Sequence, residues 1–160
     1  MTIKTGDKLP DATFRVMTKD GPQEKTTADI FAGKRVALFA VPGAFTPTCS
    51  ARHLPGFKDK AAELKAKGVD TIACVSVNDA WVMGAWGEAQ GVGDKVLMLA
   101  DGNGDFTKKL GLEMDASKFG MGVRSKRYSM VVNDGVVEQL NVEAPGQFEV
   151  STAEFMVEHL

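Results

Sequence analysis

An uninterrupted apolar run, Val36 to Val41, is followed directly by Pro42 and Gly43. A strand that exposed one face to water would alternate apolar and polar residues, so this run predicts a strand that is buried on both faces. Such burial requires helices on both sides of the sheet. The run is also far too short to span a bilayer. It therefore predicts an α/β architecture with no membrane span.

Beyond this strand, helix-like and strand-like segments alternate along the chain. From Ser50 to Lys67 apolar residues recur at three- and four-residue steps, which predicts an amphipathic helix that stops at Gly68. Pro55 lies inside this helix and is expected to kink it. Asn133-Asp134-Gly135 is a strong signal for a hairpin turn. The other predicted elements are strands at Val69–Val77, Lys95–Ala100, Tyr128–Val132 and Val136–Leu140, and helices capped by Asp79, Asp105 and Ser151.

These elements predict an α/β fold with a mixed central sheet flanked by helices on both faces, a class that includes the thioredoxin-like fold. The length of 160 residues suits one domain, residues 1–160. Nineteen basic against 21 acidic residues give a net charge of −2, so binding to nucleic acid is not expected. The N-terminal segment has no apolar stretch of signal-peptide length, and a cytoplasmic location is the expectation.

The corner between the first buried strand and its helix carries the residues best suited to chemistry. Reactive groups in such sheets gather where the carboxyl end of a strand meets the next helix. Cys49 falls there, in the first helical turn, where free backbone N–H groups favour an anion such as a thiolate. Thr46 can bring a hydroxyl near the sulfur, and Pro42 offers no N–H of its own. A lone cysteine more often only packs, but the polar, proline-rich surroundings favour a reactive Cys49.

Pro42, Thr46 and Cys49 form the Pro-x-x-x-Thr-x-x-Cys signature, and the chain resembles the peroxiredoxins, in particular the type II, peroxiredoxin five-like subfamily. The likeness extends over nearly the whole chain. It is carried by Val41 to Ser50 and by His53-Leu-Pro-Gly-Phe57, Cys74-Val-Ser-Val-Asn-Asp79, Trp81, Trp86-Gly87 and Arg127-Tyr-Ser-Met130.

The resemblance implies a thioredoxin-like fold and thiol-dependent reduction of hydrogen peroxide and organic hydroperoxides. Cys49 would attack the peroxide and become a sulfenic acid. Thr46 would bind a peroxide oxygen, and Pro42 would shield the site. Arg127 would stabilise the thiolate and the developing charge, as a guanidinium with several fixed donors can. Arg124 is the alternative arginine, but its glycine-flanked stretch is expected to face solvent.

The resemblance also raises the question of which thiol reduces the oxidised sulfur. Cys74 matches a cysteine proposed as resolving in plant type II enzymes, yet it lies in an apolar strand where a thiol usually only packs. Direct resolution by Cys74 and reduction by an outside thiol both stay open. The outside reductant would be glutathione with glutaredoxin, or thioredoxin. The resemblance also leads us to expect a homodimer formed through the region of Phe45 and Trp81. It implies no cofactor or metal. His53 is interpreted as a structural residue.

Two other functions compete with a peroxidase. The first is a general thiol–disulfide oxidoreductase on the same fold, although the chain has no Cys-x-x-Cys pair. The second is a non-enzymatic redox-sensing or chaperone protein in which Cys49 has the reactivity of an ordinary thiol.

Overall fold

The apolar run forms the third strand and lies in the interior of a seven-stranded mixed sheet in the computed structural model, which describes residues 2–160. The main-sheet strands are β1 Thr13–Thr18, β2 Gly21–Thr26, β3 Arg35–Ala40, β4 Thr71–Ser76, β5 Leu97–Ala100, β8 Tyr128–Asn133 and β9 Val136–Val142, and β6 Glu113–Asp115 pairs with β7 Val123–Ser125 in a separate ribbon. The main sheet runs in the order β2-β1-β5-β4-β3-β8-β9. Strands β3, β4 and β5 are parallel, and the other pairs are antiparallel.

Helices cover both faces of this sheet, which confirms the predicted fold class. They are α1 Thr27–Phe31, α2 Leu54–Asp59, α3 Ala61–Ala66, α4 Ala80–Ala89, α5 Asp105–Leu110 and α6 Ala153–Glu158, with a π-helical turn at Cys49–His53 and a 3₁₀ turn at Ser117–Phe119. One core contains Leu54, Phe57 and Trp86, and the other contains Phe31 and Phe106. None of the helices between residues 2 and 160 is long and apolar enough to cross a membrane.

The N-terminal hairpin was not visible in the sequence pattern. Strand β2 reads Gly-Pro-Gln-Glu-Lys-Thr and buries none of its residues, because it is the outer strand of the sheet. Its position is set by backbone pairing with β1, from Thr13 opposite Thr26 to Thr18 opposite Gly21. An edge strand of this kind has no apolar alternation to read.

Two predicted helix caps are wrong by one residue. Gly104, not Asp105, precedes α5, and the Asp101 carboxylate instead accepts the backbone N–H groups of Phe106 and Thr107 at 3.1 and 2.9 Å. Thr152, not Ser151, caps α6 by accepting the Phe155 N–H. The predicted Asp79 cap of α4 is confirmed.

The single kinked helix predicted from Ser50 to Lys67 is instead broken into three parts. The π-helical turn ends with the Leu54 N–H bonded to the Cys49 carbonyl, five residues back. Pro55 then sits in the first turn of α2, where a missing N–H costs little. The second break is at Lys60, whose φ of −92° and ψ of 7° separate α2 from α3.

Replacing Tyr128 by phenylalanine is expected to stabilise the protein by about 1 kcal/mol, because a buried hydroxyl without a partner costs free energy. The Tyr128 side chain is fully buried, and its hydroxyl has no hydrogen-bond partner within residues 2–160. Burial also raises the pKa of this phenol. Urea unfolding at neutral pH would measure the change. A less stable Tyr128→Phe protein would contradict the unpartnered hydroxyl.

Candidate active site

The register of two neighbouring strands brings the sequence-predicted residues together. Ala40, at the end of β3, lies opposite Tyr128, at the start of β8. Cys49 follows β3 through a short loop, and Arg127 immediately precedes β8. The cysteine and the arginine, 78 residues apart in sequence, are therefore placed at the same edge of the sheet.

Arg127 contacts the sulfur of Cys49 directly. Its Nη2 donates to Sγ at 3.0 Å, and the Cys49 side chain is fully buried. A hydrogen bond from a charged donor is strong, and the more so in a water-poor site. The arrangement supplies a nucleophile together with a fixed cation, which is what attack on an electrophilic atom with an anionic leaving group requires.

His53 is hydrogen-bonded to the second terminal nitrogen of the Arg127 guanidinium. Arg127 Nη1 lies 2.9 Å from His53 Nδ1, and a guanidinium can only donate, so Nδ1 accepts. The proton of the neutral ring is then on Nε2, which donates to the Ser151 carbonyl at 2.9 Å. Burial, and then the charge of Arg127, lower the pKa of His53 to about 3. His53 is thus a neutral acceptor that positions Arg127, a role the sequence interpretation as a merely structural residue missed.

A buried carboxylate fixes the loop behind His53. Glu143 Oε2 accepts hydrogen bonds from the Glu149 N–H at 2.8 Å, the Ser151 N–H at 2.7 Å and the Ser151 hydroxyl at 2.6 Å. The Glu143 N–H in turn donates to the Arg127 carbonyl at 3.0 Å. The loop therefore sets the position of both the Ser151 carbonyl and the backbone that carries Arg127.

Thr46 and Pro42 lie on the loop between β3 and Cys49. The Thr46 hydroxyl donates to the Gly43 carbonyl at 2.6 Å, which leaves its oxygen free to accept a hydrogen bond from a ligand. Residue 43 must be small, because a Cβ there would lie 3.1 Å from both Thr46 Cγ2 and Met121 Cε. Pro42 is half-buried two residues after β3. The loop that leads to Cys49 thus carries one hydroxyl oxygen that is free to accept a hydrogen bond.

Cys74 shares an apolar core with Cys49, and Arg124 lies near Gly43, but within residues 2–160 neither forms a hydrogen bond to Cys49 Sγ. Cys74 is fully buried in β4 opposite Phe39, it forms no disulfide, and burial raises the pKa of its thiol. The expectation that Arg124 faces solvent is wrong. Arg124 is half-buried because its Nε donates to the Met121 carbonyl at 2.9 Å and its Nη1 to the Val77 carbonyl at 3.0 Å.

No group of three or more histidine, cysteine, aspartate or glutamate side chains between residues 2 and 160 is arranged to hold a metal ion. The residues gathered around Cys49 are a nucleophile, its cation and the positioning groups of that cation.

Comparison with known proteins gives matches along the whole chain. A family model described as Redoxin matches residues 4–157. Peroxiredoxin-2E-2, chloroplastic, from Oryza sativa subsp. japonica is 57% identical, over 99% of this chain and 73% of that protein. Peroxiredoxin-2B from Arabidopsis thaliana is 48% identical, over 99% and 98%. The solved structure of reduced Prx3 in complex with H₂O₂ from Vibrio vulnificus is 58% identical with a TM-score of 0.95, covering 99% of each chain.

Proposed function

The chain belongs to the type II, peroxiredoxin five-like subfamily of the peroxiredoxins and is a thiol peroxidase with a thioredoxin-like fold, and we propose that Cys49 is its peroxide-reacting residue. The observation that carries this proposal is the 3.0 Å hydrogen bond from Arg127 to the Cys49 sulfur. The substrates are hydrogen peroxide and organic hydroperoxides. Both have an electrophilic O–O bond and release an anionic oxygen.

The proposed chemistry is a single displacement. The Cys49 thiolate attacks one peroxide oxygen, so an S–O bond forms as the O–O bond breaks. The expelled oxygen takes a proton and leaves as water or an alcohol, and Cys49 is left as a sulfenic acid. Arg127 lies where its donors meet the charge that moves from sulfur to the leaving oxygen. The Thr46 oxygen accepts the peroxide O–H, and Pro42 keeps water from the sulfur.

The test is intact-mass and thiol mapping after one equivalent of hydrogen peroxide, with no reductant present. We expect a gain of one oxygen on Cys49, in the wild type and equally in Cys74→Ser. Unmodified Cys49 would contradict the proposed nucleophile. Loss of two hydrogens, with a linked Cys49–Cys74 peptide, would instead contradict reduction by an outside thiol.

An outside thiol is the proposed reductant for two reasons. Cys74 is fully buried in β4, which pairs with both β3 and β5, so its backbone has little freedom to adopt the geometry that a disulfide with Cys49 needs. The raised pKa of Cys74 also disfavours its thiolate, which is the form that attacks a sulfenic acid. We propose glutathione with glutaredoxin, or thioredoxin, as the source of this thiol.

Thr46→Val is expected to lower the second-order rate constant for hydrogen peroxide by about tenfold, the worth of one hydrogen bond that orients the substrate. Valine keeps the shape of threonine and loses the acceptor oxygen. Thr46→Ser is the matched control and is expected to stay within about threefold of the wild type, since the hydroxyl is retained. Stopped-flow measurement of thiol loss gives the rates. Equal rates for the valine and serine variants would contradict a substrate-binding hydroxyl.

We also propose a homodimer formed through Phe45 and Trp81. These apolar side chains are 56% and 67% exposed, far more than such residues usually are. Phe45 is also held at a φ of 63°, a left-handed conformation that non-glycine residues adopt rarely. Analytical ultracentrifugation should give twice the 17.1 kDa chain mass. A monomer at micromolar concentration would contradict this interface.

Two further proposals concern the chain as a whole. The Redoxin match over residues 4–157 supports one domain covering residues 1–160.

A cytoplasmic location is supported by two free thiols, which are typical of reducing compartments. Fractionation of the producing cells would test this location.

A further inference from the structure

The side chain of Arg52 lies near the active site and forms no ion pair with a carboxylate of residues 2–160. Arg52 lies three residues after Cys49 in the same π-helical turn, and it is exposed. Four ion pairs form between residues 2 and 160, and none includes Arg52. Glu149 follows Phe148 in the sequence and is not ion-paired with Arg52. The Arg52 charge is therefore available to a ligand.

Phe148 holds this cation in place. The guanidinium carbon of Arg52 lies 4.7 Å from the centre of the Phe148 ring. Stacking on an aromatic ring fixes a guanidinium by a cation–π contact and leaves its N–H donors free for a carboxylate. The ring itself is half-buried and packs edge-on against His53 at 5.1 Å. The Arg52–Phe148 stack thus presents guanidinium N–H groups that are free to bind an anion.

The same ring joins this stack to the reacting sulfur. The guanidinium carbon of Arg127 lies 5.7 Å from the Phe148 ring centre, and Arg127 donates to Cys49 Sγ. The loop that carries Phe148 is held by the three hydrogen bonds to Glu143. Arg52 therefore shares the Phe148 ring with Arg127, the residue that contacts the reacting sulfur.

The Arg52–Phe148 stack could bind either the peroxide or the reducing thiol, and the charge of each molecule distinguishes between them. Hydrogen peroxide is neutral and gains nothing from an extra cation. A thiol that carries a carboxylate gains an ion pair, and because Cys49 is fully buried, a small thiol reaches it more readily than a protein surface does. We propose that the Arg52–Phe148 stack binds a carboxylate of the small anionic thiol that reduces oxidised Cys49. This inference rests on the proposed function of Cys49.

Reduction of the Cys49 sulfenic acid uses two molecules of the thiol in two successive steps. The thiol sulfur attacks the Cys49 sulfenic acid, an S–S bond forms, the S–O bond breaks, and the hydroxyl leaves as water with the thiol proton. A second molecule of the same thiol then attacks the mixed disulfide. Cys49 returns to the thiol, and the two small molecules leave as their disulfide.

The experiment compares three small thiols of similar size and different charge, together with the larger anionic thiol glutathione. Cys49 is first oxidised with one equivalent of hydrogen peroxide, and the product is confirmed by mass. It is then mixed with neutral 2-mercaptoethanol, anionic 3-mercaptopropionate, cationic cysteamine or glutathione at low salt. The ratio of wild-type to variant rates is taken for each thiol, which cancels the intrinsic reactivity of that thiol. Arg52→Gln is the test variant, and Lys65→Gln, which removes one exposed charge from α3, is the matched control.

We expect Arg52→Gln to lower the rates at which 3-mercaptopropionate and glutathione reduce oxidised Cys49 by about three- to fivefold, the effect of one exposed ion pair. The rate for 2-mercaptoethanol should change by less than about twofold, and cysteamine should not be slowed. Arg52→Lys should keep most of the preference, and added salt should reduce it. Lys65→Gln should leave all four rates unchanged.

An equal effect of Arg52→Gln on all four thiols would overturn the inference, as would an equal effect of Lys65→Gln. A loss confined to the peroxide step, with thiol rates unchanged, would overturn it as well. Failure of the proposed function is distinguishable, because it would appear earlier, as a missing oxygen on Cys49 in the first mass measurement.

Discussion

Arg127→Gln is expected to lower the second-order rate constant for hydrogen peroxide by about 10²- to 10³-fold, the usual effect of removing a prearranged donor from a developing anion. The wild-type guanidinium donates to Cys49 Sγ at 3.0 Å and to His53 Nδ1 at 2.9 Å, so it is held before the substrate arrives. Glutamine keeps hydrogen-bonding capacity but has no charge. The loss therefore reports the electrostatic contribution of Arg127 to the reaction.

Stopped-flow measurement of thiol loss provides the test, with Cys49→Ser setting the background rate. Arg124→Gln is the matched control, since it makes the same substitution three residues away on an arginine that binds the Val77 and Met121 carbonyls. Its rate is expected to stay within about fivefold of the wild type. Similar losses in both variants would indicate a general effect of removing an arginine and would contradict the assigned role of Arg127.

The interior of the sheet was predictable because its strands are apolar throughout. Val36 to Ala40 are fully buried, and the predicted run Val36–Val41 differs from the observed strand Arg35–Ala40 by one residue at each end. The hairpin turn at Asp134-Gly135 was equally clear, because Asp-Gly is a residue pair that favours the positive φ angles of such turns. The structure has positive φ at both residues. Strands β1, β2, β6 and β7 were missed because each buries at most one of its residues, and they form through pairing with a neighbour.

The active site was only half predictable for a different reason. Cys49 and Arg127 were found through motifs, which record residue types at fixed spacing. His53 binds Ser151, 98 residues away, and Glu143 organises a loop whose sequence carries no signal of its own. Contacts of this kind depend on strand register and loop closure. The spacing of His53, one turn after Cys49, was the only local indication of its role.

Wild-type stability is expected to fall as the pH drops from about 6.5 towards 3, because His53 has a pKa of about 3 in the folded protein. In the unfolded chain this histidine takes up a proton near its ordinary pKa of about 6.5. Between these values the unfolded state binds more protons than the folded state, so the free energy of unfolding decreases with falling pH. The contribution of His53 is fully present above pH 6.5 and decreases by up to about 1.4 kcal/mol per pH unit below it.

Urea unfolding of the wild type and of His53→Gln, from pH 7 to pH 4.5, isolates this contribution, because the carboxylates titrate in both proteins. The wild type should lose roughly 2–3 kcal/mol more than the variant over this range. His159→Gln, which alters the other histidine on the exposed end of the chain, is the matched control and should leave the wild-type decline in place. Parallel curves for the wild type and His53→Gln would contradict a neutral, buried His53. Such a result would also contradict the assigned role of neutral His53 as the hydrogen-bond acceptor that positions Arg127.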